Sequence, residues 1–289
     1  MKYEFFDDID RYYNLVYPYL IKDEAKNILL FSILNSLKDN PHKFGDEKPF
    51  LATISDNRDN ILLVSLRTPP YNLVISYTKD LGSIKYLATQ LNKNSISLPG
   101  CLGFKEGVEK FNNKWIKINH LKQKIAMNER IYQLKKVNKN LLGNDNFIVA
   151  DINYESLVIS WAKDFLKEAL KEIQNKEIFV NYINQIYDDI KNEKIFLLIH
   201  EGEPVTMARK AGKTPNGNLI NFVYTPPNLR RKGYATQSVA KLSQKLLNEG
   251  NRYCYLFTDL SNPTSNSIYK KIGYKPIIDF VQYKYFEKI

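Results

Sequence analysis

Leu219-Ile220-Asn221-Phe222-Val223-Tyr224-Thr225-Pro226-Pro227-Asn228-Leu229-Arg230-Arg231-Lys232-Gly233-Tyr234-Ala235-Thr236 is the stretch on which the fold of this chain turns. It opens as an apolar strand, crosses two prolines and a basic, glycine-bearing loop, and enters a helix-like segment, Gln237 to Asn248. That segment carries Val239, Leu242, Leu246 and Leu247 on one side and stops at Gly250. Strand, glycine loop and helix together make a seat for phosphate: free amides of the first helical turn point at the anion, and Gly233 allows close approach. Arg230, Arg231 and Lys232 add positive charge. The helix terminus contributes about 0.3 to 2 kcal/mol for an anion, and each charge-assisted bond about 1.5 to 3 kcal/mol. Taken alone, Arg-Arg-Lys-Gly is also what an exposed basic turn capping a helix looks like.

Downstream, Tyr253 to Asp259 reads as a buried strand, followed by Ser261-Asn262-Pro263-Thr264-Ser265-Asn266-Ser267-Ile268-Tyr269-Lys270-Lys271-Ile272-Gly273-Tyr274. The two stretches together resemble the GNAT superfamily of acyl-coenzyme A dependent N-acyltransferases. That family's phosphate loop, Gln/Arg-x-x-Gly-x-Gly/Ala, is matched by Arg230, Gly233 and Ala235. Its second pattern, Asn-x-x-Ala-x-x-Leu-Tyr-x-x-x-Gly-Phe, is matched by Asn262, Ser265, Ile268, Tyr269, Gly273 and Tyr274. The resemblance covers Phe147 to Ile289, with Pro276 to Phe286 in the place of the family's closing hairpin. The Thr-Pro-Pro before the loop looks like a group of two-domain bacterial acetyltransferases, and the layout is similar to the glycine N-acyltransferases.

The resemblance implies acetyl-CoA as co-substrate, no metal, and direct attack by a primary amine in a ternary complex; the acceptor is a small molecule, an amino acid or a peptide α-amine. The amides of Arg231, Lys232, Gly233, Tyr234, Ala235 and Thr236, beside Arg230, would hold the pyrophosphate. Backbone groups of Phe222, Val223 and Tyr224, on an edge exposed where two parallel strands splay, would pair with the pantetheine arm. Asn262 would bond the pantetheine, with Asn266 beside it. Tyr269 would protonate the leaving thiolate, a phenol of reference pKa about 10 against a thiol of about 8.5; it is also one of 20 tyrosines, any of which can be an ordinary helix aromatic. Where many members carry a glutamate base, this chain has Asn221. Glu201, Glu203 and His200 fall in or beside a turn, and Asp259 either faces the cleft or caps the next helix, so no base is assigned. A noncatalytic module sensing acyl-CoA is the alternative reading.

Working outward, helices are expected at Ile9 to Leu20, Glu24 to Leu37 (with Asp23 as cap), Ser83 to Asn92 and Phe104 to Trp115. Strands are expected at Phe50 to Ser55, Asn60 to Leu66, Asn72 to Tyr77 and within Ile116 to Leu134. After the polar Lys135 to Asn146 the order begins again: strand Phe147 to Ile152, helices Glu155 to Glu172 and Ile178 to Ile190, then strands Ile195 to His200, Val205 to Lys210 and Asn218 to Tyr224. Thr-Pro-Pro occurs at both Thr68 and Thr225. The expectation is an α/β (α+β) chain of tandem GNAT-like folds, each a mixed, mostly antiparallel sheet flanked by helices, with domains at 1–141 and 142–289. The first copy is expected to be degenerate, because Thr78-Lys79-Asp80-Leu81-Gly82-Ser83 puts an aspartate where phosphate would sit. Pro99 to Gly103 reads as a tight turn.

The 289 residues, 44% hydrophobic and 25% charged, are those of a folding globular chain. No run approaches the roughly 18 apolar residues of a membrane span, and Met1 to Asp10 is too acidic for a secretory signal, so no membrane partner and a cytoplasmic setting are expected; the resemblance implies a bacterial one. A net charge of +11 is spread without a basic run, so no nucleic-acid partner is expected. Cys101 and Cys254 lack the close spacing of a zinc site or disulfide, and Cys101 reads as an apolar filler. A monomer or homodimer is expected.

Overall fold

The computed structural model describes residues 1–169 and 176–288; the last residues of the helix expected to Glu172 lie outside them. The first pass runs through β1 (Lys2–Phe6), α1 (Ile9–Leu20), α2 (Ile28–Asp39), β2 (Phe50–Ser55), β3 (Ile61–Arg67), β4 (Leu73–Ile75), α3 (Leu81–Lys93), β5 (Gly100–Phe104), α4 (Lys105–Ile118) and β6 (Leu121–Leu134). The second repeats the order: β7 (Asn146–Val149), α5 (Glu155–Ala169), α6 (Lys176–Lys191), β8 (Ile195–His200), β9 (Glu203–Thr214), β10 (Gly217–Tyr224), α7 (Tyr234–Asn248), β11 (Tyr253–Asp259), α8 (Pro263–Ile272) and β12 (Lys275–Glu287).

Two compact units result: Met1–Ile131 with Phe257–Asn262 and Pro276–Ile289, and Tyr132–Leu256 with Pro263–Lys275. They differ from the contiguous halves 1–141 and 142–289, and backbone pairing explains why. Phe280 to Lys284 of β12 pair antiparallel with Gly100 to Phe104 of β5, so the end of the chain completes the first unit's sheet. Asn138, by contrast, donates its amide to the Ile272 carbonyl at 2.8 Å, which fastens the polar linker into the second unit. The expected closing hairpin is instead one long strand.

In the first unit β1, β2, β3 and β4 pair antiparallel in sequence and β4 runs parallel to β5. In the second, β7, β8, β9 and β10 pair antiparallel and β10 runs parallel to β11. Each is the mixed, mostly antiparallel sheet expected. On one face of the second sheet α7 and α8 pack Val239, Leu242, Leu246 and Ile272 against Tyr132, Leu134, Ile220 and Leu256. On the other, α5 and α6 pack Val158, Trp161, Ala162, Ile183 and Ile186 against Leu197, Met207, Phe222 and Tyr224. Among the described residues no helix is long and apolar enough to cross a membrane.

Two local expectations change. The helix expected from Glu24 starts at Ile28, and Asp23 sits at a kink (φ −129°, ψ 49°); buried Asn27 sets the break by bonding both the Leu20 carbonyl (3.1 Å) and the Tyr77 amide (2.9 Å). Pro99 to Gly103 is not a turn but leads into β5. Its glycines serve close approach: a Cβ on Gly100 would lie 2.1 Å from the Tyr283 carbonyl oxygen. Gly100→Ala should therefore push β12 off β5 and cost about 1 to 3 kcal/mol, read as a lower urea midpoint.

Candidate functional site

The basic loop of the second unit is built from two residues in the left-handed region, Arg231 (φ 66°) and Gly233 (φ 88°). Left-handed residues next to right-handed ones are the kind of backbone that can turn successive amides toward one side, as in anion-binding concavities. Gly233 is the N-cap of α7 and brings no side chain to it. The first helical bond, Gln237 amide to Gly233 carbonyl, is 3.1 Å; the preceding amides of Tyr234, Ala235 and Thr236 have no helical partner by geometry. Nothing lies within 4 Å of the place a Gly233 Cβ would occupy, so glycine is required here by its φ. Arg231 and Lys232 are exposed.

Arg230 has a different task. Its guanidinium takes both carboxylate oxygens of Glu168 on α5 at 2.8 Å, its Nε donates to the Thr225 carbonyl at 2.8 Å, and it lies 5.7 Å from the centre of the Tyr224 ring. It ties the loop to the end of β10 and to α5 while staying exposed, as Arg231 and Lys232 beside it do.

The strand feeding the loop is bulged and splayed. Its parallel register with β11 runs from Gly217↔Tyr253 to Leu219↔Tyr255, while β10 continues to Tyr224. Against β9 the register shifts between Asn221↔Arg209 and Tyr224↔Met207, and Phe222 within that step has φ 49°. One extra residue on β10 bends it and re-aims its backbone. Phe222, Val223 and Tyr224 lie beyond the last residue of β10 paired with β11, with Phe222 packed 4.6 Å from the Phe165 ring and Tyr224 6.2 Å from Trp161.

Asn221 stands opposite Arg209, which ion-pairs with buried Asp189 and lies 5.5 Å from the Phe222 ring centre. Asn221 Oδ1 and Arg209 Nε are closed to solvent without a hydrogen-bond partner among the described residues. His200 is held through Nδ1 by Asp145 at 2.9 Å, with its ring 5.0 Å from that of Tyr234; Glu201 and Glu203 are exposed. Asp259 accepts the Ser261 amide at 2.7 Å, so it shapes the turn before α8. Asn262 closes that turn, its amide 3.1 Å from the Asp259 carbonyl. On α8, Asn266 accepts from the Tyr132 hydroxyl at 3.1 Å. Tyr269 packs between the rings of Tyr132 (6.5 Å) and Tyr274 (6.0 Å), and burial pushes its phenol up to about 12. Cys101 and Cys254 are buried free thiols, both pushed up by desolvation.

The first unit solves the same helix-end problem internally. Asp80 accepts the amides of Gly82 (2.8 Å) and Ser83 (3.3 Å) at the start of α3, so a carboxylate of the chain occupies the anion position. The residue before α4 is Phe104 and the seventh in it is Phe111, where α8 has Asn262 and Tyr269. Sequence reading passed over one carboxylate in this unit. Glu129 on β6 is pushed up to about 7 by desolvation and then by Asp259, and a single glutamate in an exposed-looking strand gives no sequence signal of that.

Residues 198–283 match the family model described as FR47-like protein. No functionally curated protein matches the sequence. Among solved structures, a GNAT-family acetyltransferase from Colwellia psychrerythraea shares the fold with TM-score 0.61 at 12% identity, over 99% of this chain and 100% of that one. A Drosophila protein does so with TM-score 0.66 at 11% identity, over 98% of each chain. A GCN5-related N-acetyltransferase from Sphaerobacter thermophilus follows with TM-score 0.58 at 11% identity, over 89% and 85%. The chain thus has the GNAT fold along its whole length, with the family model's match in the half that carries the uncapped helix.

Asp80→Ala removes a cap whose loss typically costs about 1 kcal/mol, and the unfolding midpoint should fall accordingly. Glu129 titrates higher folded than unfolded, so the native state holds its proton where the unfolded state has released it. Its contribution is therefore complete below about pH 4.5 and declines as pH rises toward about 7. Glu129→Gln should leave stability unchanged at pH 4 and raise it relative to the parent at pH 8, by about 3 kcal/mol, in urea titrations at both values.

Proposed function

We propose that this chain is an N-acetyltransferase that moves the acetyl group of acetyl-CoA to a primary amine by direct attack. The observation that carries the reading is the α7 N-terminus: two left-handed residues lead into it, no side chain caps it, and it follows a bulged strand whose parallel ladder stops at Leu219. The amides from Arg231 to Thr236 would take the pyrophosphate, and the β10 edge from Phe222 to Tyr224 would pair with the pantetheine and polarise the thioester carbonyl. Asn262 would bond the pantetheine arm. Asn266 is given the lesser share, because Tyr132 already engages its carbonyl oxygen.

The amine nitrogen attacks the thioester carbon, the carbon–sulfur bond breaks, the thiolate takes a proton from Tyr269, the ammonium proton passes to solvent, and Tyr269 regains a proton from solvent before the next turnover. Asn221 cannot accept that proton. Deprotonating a lysine-type amine of pKa about 10.4 at pH 7 costs about 4.6 kcal/mol, whereas an α-amine of pKa about 7.8 costs about 1 kcal/mol. Amino acids, peptide N-termini and small amines of low pKa are therefore the favoured acceptors. The same asparagine is what a noncatalytic acyl-CoA sensor would tolerate.

Calorimetry should show acetyl-CoA binding that Gly233→Glu abolishes, since the new side chain brings strain and a carboxylate to the seat. No affinity in the parent, or equal affinity in the variant, would sink the reading. With binding established, thiol release on adding amines separates enzyme from sensor. Tyr269→Phe should lower kcat about 100-fold with little change in coenzyme affinity.

A further inference from the structure

Thr206 lies in the middle of β9, fully buried, and its hydroxyl does something a valine of the same shape could not. It donates to the Tyr224 carbonyl at 2.8 Å and accepts from the Thr225 hydroxyl at 2.9 Å. On the far side of Thr225, Arg230 Nε takes the Thr225 carbonyl at 2.8 Å, and Glu168 holds the guanidinium in place. Two successive carbonyls at the end of β10 are thus fixed by side chains just past the bulge, at Tyr224, the last residue of β10 in register with β9, and at Thr225 beyond it.

A trans peptide plane directs its C=O and its N–H to opposite sides. Holding the Tyr224 oxygen toward β9 therefore aims the Thr225 amide the other way, to the side on which β10 has parted from β11. A buried hydroxyl without partners would be costly; this one is satisfied twice, both times at the strand end that leads into the phosphate loop.

We propose that Thr206 is a positioning residue that sets the Tyr224–Thr225 peptide, and with it the coenzyme-binding edge of β10. The inference rests on the acetyltransferase reading and adds two residues to it: Thr206 as the support, and Thr225 as an edge position whose amide the support aims. Arg230 and Glu168 complete the splint from the loop side.

The test is Thr206→Val beside Thr206→Ser, each followed by calorimetry with acetyl-CoA, amine-dependent thiol release and thermal unfolding. The valine variant is expected to bind acetyl-CoA about tenfold more weakly and to lose kcat by a similar factor, with the amine KM unchanged. Serine keeps the hydroxyl and is expected to restore both. If the valine variant fails to fold, Thr225→Val, which removes one link at the partly exposed end of the splint, carries the same comparison and is expected to weaken binding about threefold. A folded Thr206→Val with parental affinity and turnover overturns the splint and leaves the acetyltransferase reading standing. A serine variant as impaired as the valine one also overturns it, because packing and not the hydroxyl would then be responsible. A parent with no coenzyme affinity removes the reading itself and the splint with it.

Discussion

Every α-helix begins with amides that its own carbonyls cannot reach, and what meets them at two places decides the character of this protein. At α3 the partner is internal: Asp80 folds its carboxylate onto Gly82 and Ser83. At α7 the cap is Gly233, which has no side chain to offer, and Arg231 and Gly233 in the preceding turn take left-handed backbone angles. The element order is the same in both passes, so the backbone plan alone does not distinguish a helix capped by its own side chain from one that no side chain caps. The Asp80 carboxylate is one difference between the two copies, and Phe104 and Phe111 in the places of Asn262 and Tyr269 are others, so one fold can carry different side-chain chemistry in its two copies.

An open helix end is of use only if the strand before it is held still while part of its edge stays unpaired. β10 meets both demands through a local defect. The extra residue at Phe222 breaks the register with β9, and the parallel ladder with β11 stops at Leu219. What regular pairing no longer supplies, side chains do: the Thr206 and Thr225 hydroxyls, the Arg230–Glu168 pair, and the rings of Trp161 and Phe165 against Tyr224 and Phe222. Such rigidity is what electrostatic preorganisation needs, since donors that must first reorient lose much of their worth.

Much of this was readable in the sequence because it is local. The apolar period of α7 and the continuous apolar runs of β8 and β11 place those elements to within a few residues, and Gly233 with its basic neighbours announces the loop. The misreadings share a cause in contacts distant along the chain. Gly100 to Gly103 looks like a turn because glycine usually marks one, yet here it clears a path for the Tyr283 carbonyl. The start of α2 follows Asn27, whose side chain answers to Tyr77 fifty residues away. Arg230 matches a phosphate-loop pattern, but its partner Glu168 lies 62 residues earlier, and no motif encodes such a pair. Thr206 and Glu129 had no pattern at all; strand threonines and glutamates acquire roles only from what the sheet sets beside them.

The proton economy of the proposed transfer follows from burial on one side and its lack of a base on the other. Tyr269 is pushed up to about 12, which alone would make protonation of a thiol of reference pKa about 8.5 uphill by about 5 kcal/mol. The same dry surroundings raise the thiolate's proton affinity, since desolvation penalises any anion placed there, and the gap narrows where the leaving sulfur is most buried. A phenol that stays protonated throughout the neutral range is then always ready as a donor. At the amine end the reverse holds. Asn221 neither carries charge nor takes a proton, so in the proposed transfer the acceptor would have to reach the thioester already neutral, in the fraction its own pKa allows at the working pH. The proposed site would then supply acid to the leaving group and leave deprotonation of the nucleophile to the nucleophile's own pKa.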